Sequence, residues 1–282
     1  MREMMKECVI CPRECGAKRI EGKYGVCRST IELVISSAAP HYGEESPLVG
    51  HRGSGTVFLT SCNLKCLFCQ NYDISHMRYG RRITTGQLAE IMLGLQRGGC
   101  HNINFVTPTH MTAQIVEAVA VAAEQGLSIP LVYNCGGYES TRTLKLLEDV
   151  VDIYMPDIKY ADNEIARRYS GAPSYWDVVR PAVLEMHRQV GDLSLDERGI
   201  ARRGLLIRHL VLPNRLAGSR TVLDFIARNV SLDAYVNIMD QYRPAYRAIR
   251  YSELSRGITA KEYNETVEYA RRLGLHRGFP SN

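Results

Sequence analysis

The chain has 282 residues, of which 45% are hydrophobic and 23% charged, and its formal net charge is +5. This length suits one large α/β domain with a small appendage, and the composition is that of a globular protein. No apolar run approaches the ~20 residues of a membrane span, and no dense Lys/Arg tract indicates nucleic acid as a partner. The first residues contain no apolar signal core, so we expect a cytoplasmic protein.

In chain order, a cysteine-rich head of residues 1–30 precedes a strand and a Pro/Gly-rich loop. From Gly55 onward, short β-branched runs alternate with helical patterns. We predict strands at Thr56–Thr60, Ile103–Val106, Pro130–Tyr133, Ile153–Met155, Leu205–Val211 and Tyr235–Met239. We predict helices near Thr85–Arg97, Met111–Gln125, Ser140–Glu148, Tyr175–Val190, Ser219–Asn229 and Ala260–Leu273.

This βα alternation predicts a parallel sheet with outer helices. Periodicity alone does not separate a partial barrel from a doubly wound sheet. We expect two parts, an N-terminal extension of residues 1–50 and a core of residues 51–282.

Three cysteines, Cys62, Cys66 and Cys69, follow the first predicted strand with the spacing C-x3-C-x2-C. Three close thiolates do not easily complete a structural zinc site, which normally takes four protein ligands. They can hold three irons of a [4Fe–4S] cluster and leave the fourth iron open to a small chelating ligand. The alternatives are buried or reactive cysteines on a loop, or a zinc site that borrows a histidine such as His76.

Polar, Gly or Pro residues also follow the other five strands. Because active sites of parallel α/β barrels lie at the carboxyl ends of the strands, we expect these segments to converge on one face. They are Thr107–His110, Asn134–Tyr138, Pro156–Tyr160, Leu212–Arg215 and Asp240–Pro244.

The cysteine motif, with Phe68 before its last cysteine and Gln70 and Asn71 after it, resembles the signature of the radical S-adenosylmethionine (radical SAM) superfamily. Together with "PDIKY" from Pro156 to Tyr160, it is most similar to the pyruvate formate-lyase activating enzyme and its uncharacterised relatives with a cysteine-rich head. The resemblance covers roughly residues 50–250. It implies an incomplete (β/α)6 barrel that binds a [4Fe–4S] cluster and S-adenosylmethionine.

The same resemblance implies roles for single residues. Phe68 would lie over the adenine, with a core aromatic as the alternative. Asn134 would touch the ribose, with a plain turn as the alternative. Lys159 would face the methionine carboxylate, and Asp157 would lie near the radical path. Arg208 resembles the fifth-strand arginine that approaches the methionine end; an arginine on an interior strand is costly unless it is paired.

One segment departs from the resemblance. Relatives carry a "GGE" turn after the second strand, which takes the methionine amino group. Here Thr107 and Thr109 occupy that place and offer hydroxyl or backbone acceptors but no carboxylate. His110 could face the site or begin a helix.

A second group of cysteines, Cys8, Cys11, Cys15 and Cys27, has the spacing C-x2-C-x3-C-x11-C. Four soft ligands on a head with few apolar residues suggest a metal-dependent fold. The candidates are structural zinc, rubredoxin-like iron or a second iron–sulfur cluster, and unmetallated thiols or disulfides are the alternative. Of the remaining cysteines, we expect Cys100 in the core, whereas Cys135 could face the pocket.

The resemblance implies that the enzyme cleaves S-adenosylmethionine reductively to a 5′-deoxyadenosyl radical. The radical would then take a hydrogen from a glycine of a partner, a glycyl-radical enzyme. A flavodoxin- or ferredoxin-type protein would be the reductant. Two alternatives stay open: radical modification of another peptide, small molecule or RNA, and a non-catalytic iron–sulfur electron carrier or sensor.

Overall fold

The structure is a computed structural model that describes residues 1–280; residues 281 and 282, the end of the expected core, lie outside the described residues. Nine strands form its sheet. They are β1 (Leu33–His41), β2 (Ser54–Leu59), β3 (Arg81–Ile83), β4 (Ile103–Val106), β5 (Leu131–Cys135), β6 (Ile153–Pro156), β7 (Ser194–Leu195), β8 (Ala201–Leu210) and β9 (Tyr235–Met239).

Six of these strands are parallel, in the order β2-β4-β5-β6-β8-β9. β1 and β3 extend one side of the sheet antiparallel, and the short β7 pairs antiparallel with β8. Within the described residues β9 pairs with β8 and not with β2, so the sheet does not close. The expected α/β fold with a partial, TIM-like (β/α)6 barrel is therefore confirmed.

Helices connect the strands of the sheet. They are α1 (Ser46–Val49), α2 (Tyr72–Ser75), α3 (Thr85–Arg97), α4 (Thr112–Glu124), α5 (Thr141–Lys145), α6 (Asn163–Ser170), α7 (Tyr175–Val190), α8 (Ser219–Phe225) and α9 (Ala260–Arg272). No helix of the described residues has the length and apolar character needed to cross a bilayer.

Side-chain caps explain several helix starts. Thr84 and Gln87 form a reciprocal capping box at α3, and Thr259 and Glu262 do the same at α9. The carboxylate of Asp162 accepts two backbone N–H groups at the start of α6, a helix absent from the sequence expectation. Each cap satisfies backbone donors that the first helical turn leaves without partners.

Strands β4, β5 and β6 are buried along their whole length. Full burial is expected of parallel strands that are covered on both faces, and it explains their continuous apolar character. The strands therefore form a rigid support that holds the polar segments after their carboxyl ends.

The N-terminal head packs on the outside of this barrel. Met4, Met5, Cys8 and Ile10 form one apolar cluster with Ala113 of α4. The Thr143 hydroxyl of α5 donates to the Ile10 carbonyl at 2.6 Å, and Gln114 Nε2 donates to the Ile31 carbonyl at 2.7 Å. β1, which lies inside the expected extension 1–50, belongs to the main sheet, so the division at residue 50 stays a proposal.

Candidate active site

A cavity of about 240 Å³ opens at the carboxyl ends of the parallel strands. Residues that follow the first four of these strands line it together with residues of β8 and β9. The sequence-predicted residues among them are Cys62, Cys66, Phe68, Cys69, Thr107, Asn134, Cys135, Asp157, Lys159, Arg208 and Gln241. The expected convergence on one face is thus present in the structure.

The loop that carries the three cysteines is fixed by backbone hydrogen bonds to the end of α6. The Lys65 N–H donates to the Ser170 carbonyl at 2.8 Å, and the Leu67 N–H donates to the Tyr169 carbonyl at 2.8 Å. Ser61, which begins the loop, has φ +72°. Backbone in this region is unusual for a non-glycine residue and is often found where a site constrains the chain.

Each of the three sulfurs has a polar neighbour. The Leu64 N–H donates to Cys62 Sγ at 3.3 Å, and the Ser170 hydroxyl donates to Cys66 Sγ at 3.0 Å. Cys69 Sγ lies 3.1 Å from the Ser75 hydroxyl. Hydrogen bonds to sulfur are among the features that tune iron–sulfur centres. The donor set, three soft sulfurs that face one cavity, therefore fits a [4Fe–4S] cluster.

Within residues 1–280, no three or more His, Cys, Asp or Glu side chains are arranged to hold a single metal ion. A four-iron cluster places each thiolate on a different iron, so its ligands need not converge on one point. Burial, with the neighbouring Cys66 thiol, raises the pKa of Cys62 to about 12. The free thiol is therefore protonated, and metal binding must displace that proton.

Opposite the cysteines, Asp157 lies between two cations. Arg208 Nε donates to Asp157 Oδ1 at 2.7 Å, and Lys159 Nζ forms an ion pair with Asp157 Oδ2. Arg208 Nη2 also donates to Asn134 Oδ1 at 2.8 Å, and its Nη1 lies 3.4 Å from Glu44 Oε2. Asp157, Lys159 and Arg208 sum to one positive charge. Burial raises the pKa of the nearby Glu44, which disfavours the negative charge that would offset this sum, so the cavity suits an anionic group such as a carboxylate.

The electrostatics of this group follow from its burial. Burial raises the pKa of Asp157, but Arg208 and Lys159 outweigh it and hold the pKa below its ordinary value. Burial lowers the pKa of Lys159, and Asp157 more than reverses this, so the pKa lies above its ordinary value. All three groups are therefore charged near neutral pH.

Two glycines after β5 permit close approach of the backbone. A Cβ at Gly137, where φ is +73°, would lie 2.4 Å from the Asp157 carbonyl oxygen. A Cβ at Gly136 would lie 2.6 Å from Leu64 in the cysteine loop. Glycine is required at Gly137 because the contact is with backbone and φ is positive, whereas at Gly136 the end of the Leu64 side chain could shift.

Phe68 is buried and lines the cavity, with its ring in edge contact with Tyr242 at 5.7 Å between centroids. Its position is compatible with the expected contact to adenine and with a role as a core aromatic. Thr107 also lines the cavity and has φ +63°. Its N–H donates to the Asn134 carbonyl at 2.8 Å, which ties the second strand end to the third.

Several candidates lie outside the cavity lining. The Thr109 hydroxyl donates to Glu139 Oε1 at 2.6 Å. His110 is buried with Nε2 2.7 Å from the Thr60 carbonyl, and burial lowers its pKa to about 3. Cys100 is buried among core residues, as expected.

Glu139 is a buried polar residue that the sequence analysis did not single out. It is 2% exposed, and it accepts hydrogen bonds from Thr109 and, at 3.2 Å, from Tyr133. Burial raises its pKa to about 8 despite these hydrogen bonds. It follows the "NCGGY" segment directly and precedes "PDIKY" in the chain. This location between two polar strand ends is the sequence feature that marks it as a site residue.

In the head, Cys8, Cys11 and Cys27 are buried and Cys15 is half-buried. The guanidinium of Arg19 is buried with them and donates to the Thr30 carbonyl at 2.8 Å. Its Nη1 lies 3.8 Å from Cys8 Sγ. Among the described residues no carboxylate forms an ion pair with Arg19.

The model of the radical SAM superfamily matches residues 56–190, which include the cysteine loop and strands β4, β5 and β6 but not β8 and β9. An uncharacterized protein of Methanocaldococcus jannaschii, MJ0674, is 33% identical over 97% of this chain and 77% of its own length. A second, MJ0808, is 30% identical over 54% of this chain and 49% of its own. The chain belongs to the radical SAM superfamily.

Solved structures share the fold at low sequence identity. The peptide-bound structure of SuiB from Streptococcus suis has a TM-score of 0.54 and 14% identity, over 78% of this chain and 46% of that one. The hydrogenase maturase HydG from Carboxydothermus hydrogenoformans has a TM-score of 0.52 and 12% identity, over 76% and 49%. Methylornithine synthase has a TM-score of 0.51 and 17% identity, over 76% and 59%. This chain thus spans about half the length of the solved chains.

Membership of the superfamily implies that this chain is a radical SAM enzyme that uses a [4Fe–4S] cluster and S-adenosylmethionine. The fold supports the same conclusion, because the cavity at the strand ends combines three thiols with a mostly buried group of cations.

Proposed function

We propose that Cys62, Cys66 and Cys69 hold the cluster and that the group around Asp157 binds the methionine end of S-adenosylmethionine. The observation that carries the proposal is that all three thiols and the Asp157–Lys159–Arg208 group line one cavity. When bound, the cluster supplies the electron that cleaves S-adenosylmethionine to methionine and a 5′-deoxyadenosyl radical.

The residues of the chain bind and orient the cofactor. Lys159 and Arg208 are charged, mostly buried and already oriented by Asp157, so they can receive a carboxylate at little cost in side-chain entropy. The Asn134 amide, held by Arg208, offers a hydrogen-bonding group for a sugar hydroxyl. Phe68 and Leu64 provide apolar walls that exclude water from the same space.

The experiment is anaerobic reconstitution with iron and sulfide, followed by dithionite and S-adenosylmethionine, with 5′-deoxyadenosine as the measured product. We expect product from the parent and from a Cys100→Ala variant, whose cysteine is buried in the core away from the cavity. Cys66→Ala should lose both the bound iron of this site and the product. An intact cluster with no 5′-deoxyadenosine above background would indicate an electron carrier or sensor instead.

The substrate we propose is a polypeptide, and the first candidate is a glycine of a partner glycyl-radical enzyme. The support is the "DIK" segment from Asp157 to Lys159, which matches the pyruvate formate-lyase activating enzyme pattern. Incubation of the reduced enzyme with such a partner should give the electron paramagnetic resonance doublet of a glycyl radical. The reductant we propose is a flavodoxin- or ferredoxin-type protein, and the compartment is the cytoplasm.

A second candidate is radical modification of a different peptide, small molecule or RNA. It is favoured by the turn after β4, where Thr107 lines the cavity in place of a carboxylate. Turnover without a glycyl-radical signal, detected as a mass change in another substrate, would select this candidate.

A second metal at Cys8, Cys11, Cys15 and Cys27 is also a proposal. Its support is Arg19, because a buried guanidinium with no carboxylate partner is costly, and anionic metal-bound thiolates beside it would offset that cost. Among residues 1–280 the four thiols are not arranged around one metal ion, so zinc or rubredoxin-like iron would require them to move together on binding. Metal analysis and visible absorption distinguish these two metals from an iron–sulfur cluster. Cys11→Ala should lose that metal and keep the iron at Cys62, Cys66 and Cys69; equal metal content in parent and variant would contradict the site.

A further inference from the structure

Two surface segments flank the mouth of the cavity and carry most of the net charge of the chain. Residues 70–82 follow the cysteine loop, and residues 240–252 follow β9. We call these two segments the arginine–tyrosine rim. Each contains three arginines and one aspartate, so the rim carries +4 of the chain's formal +5.

The two segments of the rim contact each other. Gln70 Nε2 donates to the Gln241 carbonyl at 3.0 Å, and Gln70 and Gln241 both line the cavity. The ring of Tyr246 stacks on Tyr72 at 5.3 Å and on His76 at 4.5 Å between centroids. β2 and β9 are the first and last parallel strands and do not pair, so the rim joins the two ends of the open barrel beside the cavity.

Of the six arginines of the rim, Arg82 pairs with Glu32, whereas the three that follow β9 have no carboxylate partner in the described part of the chain. Arg167, Arg202 and Arg256 each form ion pairs with a carboxylate of the chain. Arg243, Arg247 and Arg250 of the rim are exposed. Among residues 1–280 these three arginines form no ion pair with a carboxylate. Their charge is available to a partner.

Large apolar and aromatic side chains are exposed among these charges. Ile249 is 73% exposed, Tyr79 68% and Met77 51%. Positive charge interspersed with exposed aromatic and aliphatic groups is typical of a surface that binds another macromolecule.

Three aromatic rings of the rim are already stacked on one another, which favours a peptide over RNA, although the ring of Tyr79 is exposed. Single-stranded nucleic acid binds by stacking bases on free aromatic faces. Here Tyr72 and His76 stack against Tyr246, and the guanidinium of Arg247 lies 5.1 Å from the centre of the same ring. The exposed Ile249 and Met77 offer aliphatic contacts that suit amino-acid side chains.

We propose that the rim binds an acidic segment of the polypeptide substrate that also carries aliphatic residues, and presents it to the cavity. The inference rests on the proposed function in one respect only, that the substrate is a polypeptide. Carboxylates of the partner would pair with Arg243, Arg247 and Arg250, and aliphatic side chains would contact Ile249 and Met77. The attraction is between exposed charges, so it is screened by salt.

The test measures fluorescence anisotropy with a labelled 13-residue peptide that contains four glutamates, two leucines and a central glycine. The parent should bind it more tightly than the same peptide with glutamine at the four positions, and affinity should fall between 50 and 200 mM salt. Arg243→Glu/Arg247→Glu/Arg250→Glu should weaken binding about tenfold or more, the sum of several exposed ion pairs.

The matched control replaces three exposed arginines elsewhere on the protein, Arg97→Glu/Arg198→Glu/Arg272→Glu. It makes the same change in net charge, so it has the same long-range effect on the peptide. Its affinity for the peptide should stay within about twofold of that of the parent at the same salt concentration. Should the rim variant fail to fold, the neutral Arg→Gln triple variant replaces it, with a smaller loss expected.

The outcomes separate this inference from the proposed function. 5′-Deoxyadenosine formed without substrate should be equal in the parent and in the rim variant. If both make it while the peptide binds rim and control variants equally, the rim inference is overturned alone. If neither makes it while peptide binding still depends on the rim, the rim stands and the proposed chemistry fails. Tighter, rim-dependent binding of a 13-nucleotide oligouridine than of the peptide would overturn the polypeptide assignment.

Discussion

Glu139 gives the sharpest test of the electrostatics of the site. The change is Glu139→Gln, which keeps the shape of the side chain and removes its ionisation. The carboxyl is 2% exposed, and burial raises its pKa to about 8 from an ordinary value of 4.5. In the folded protein it is therefore protonated up to about pH 8, whereas in the unfolded chain it loses its proton above about pH 4.5.

The sign of the pH dependence follows from these two values. Between pH 4.5 and 8 the folded state binds the proton and the unfolded state does not, so the free energy of unfolding falls as pH rises. The stabilisation is fully present below about pH 4.5 and is lost as pH rises through about 8. One pKa unit corresponds to about 1.4 kcal/mol, so the loss across this window has an upper limit of about 5 kcal/mol.

The assay is urea unfolding followed by circular dichroism at pH 5, 6, 7 and 8, with the thiols kept reduced. Other titrating groups are common to both proteins and cancel in the difference between them. We expect Glu139→Gln to gain stability over the parent as pH rises, by several kcal/mol at pH 8. The exposed Glu90 of α3 supplies the control, since Glu90→Gln should follow the parent at every pH. Parallel pH profiles for the parent and Glu139→Gln would refute the assignment of a buried, protonated carboxyl.

Three further predictions concern the residues around the cavity. Gly137→Ala should cost about 2 kcal/mol or more in the free energy of unfolding, because its Cβ meets the Asp157 carbonyl; Gly126→Ala, with a φ of +92° and nothing within 4 Å, should cost about 1 kcal/mol from strain alone. Asp157→Ala should destabilise by about 3–5 kcal/mol because Lys159 and Arg208 lose their buried counter-ion, and Asp157→Asn by less; equal values in urea unfolding would contradict this. Arg208→Lys should weaken S-adenosylmethionine binding about tenfold in calorimetry because the planar fork is lost, and unchanged affinity would remove Arg208 from the binding group.

The sequence alone predicts the elements whose pattern and boundaries are both local. β4 and β9 have the predicted bounds because each is a short apolar run between turn residues. α3 and α7 also match; α3 begins at a side-chain cap visible in the sequence as Thr84 and Gln87. α5 is shorter than expected, because the chain leaves the helix after Lys145 and reaches Asp149 at φ +61°.

The residues of the site also fall into those that the sequence predicts and those that only the fold brings together. The cysteine loop and the Asp157–Lys159 segment are each a continuous stretch of sequence. Their motifs could therefore be recognised before the fold was known. Glu139 could not be assigned to the interior from its neighbours, because the adjoining "NCGGY" segment has the composition of an exposed turn. Its burial depends on Thr109, which follows β4, and on Tyr133, which lies within β5. The unpaired state of Arg243, Arg247 and Arg250 is likewise a property of the folded surface alone.

Two hydrogen bonds connect the head to the active site and so link the two groups of cysteines. Arg13 Nε of the head donates to the Asn63 carbonyl at 2.9 Å, and Asn63 Nδ2 donates to the Tyr138 carbonyl at 2.8 Å. Asn63 is 1% exposed and lies between Cys62 and Leu64, so its position affects the first thiol of the cavity directly. Because the head contains few apolar residues, a metal that orders it would also hold Asn63 in place. If the proposed head metal is present, its loss should therefore loosen the loop that carries Cys62 even when the three thiols of the cavity are intact.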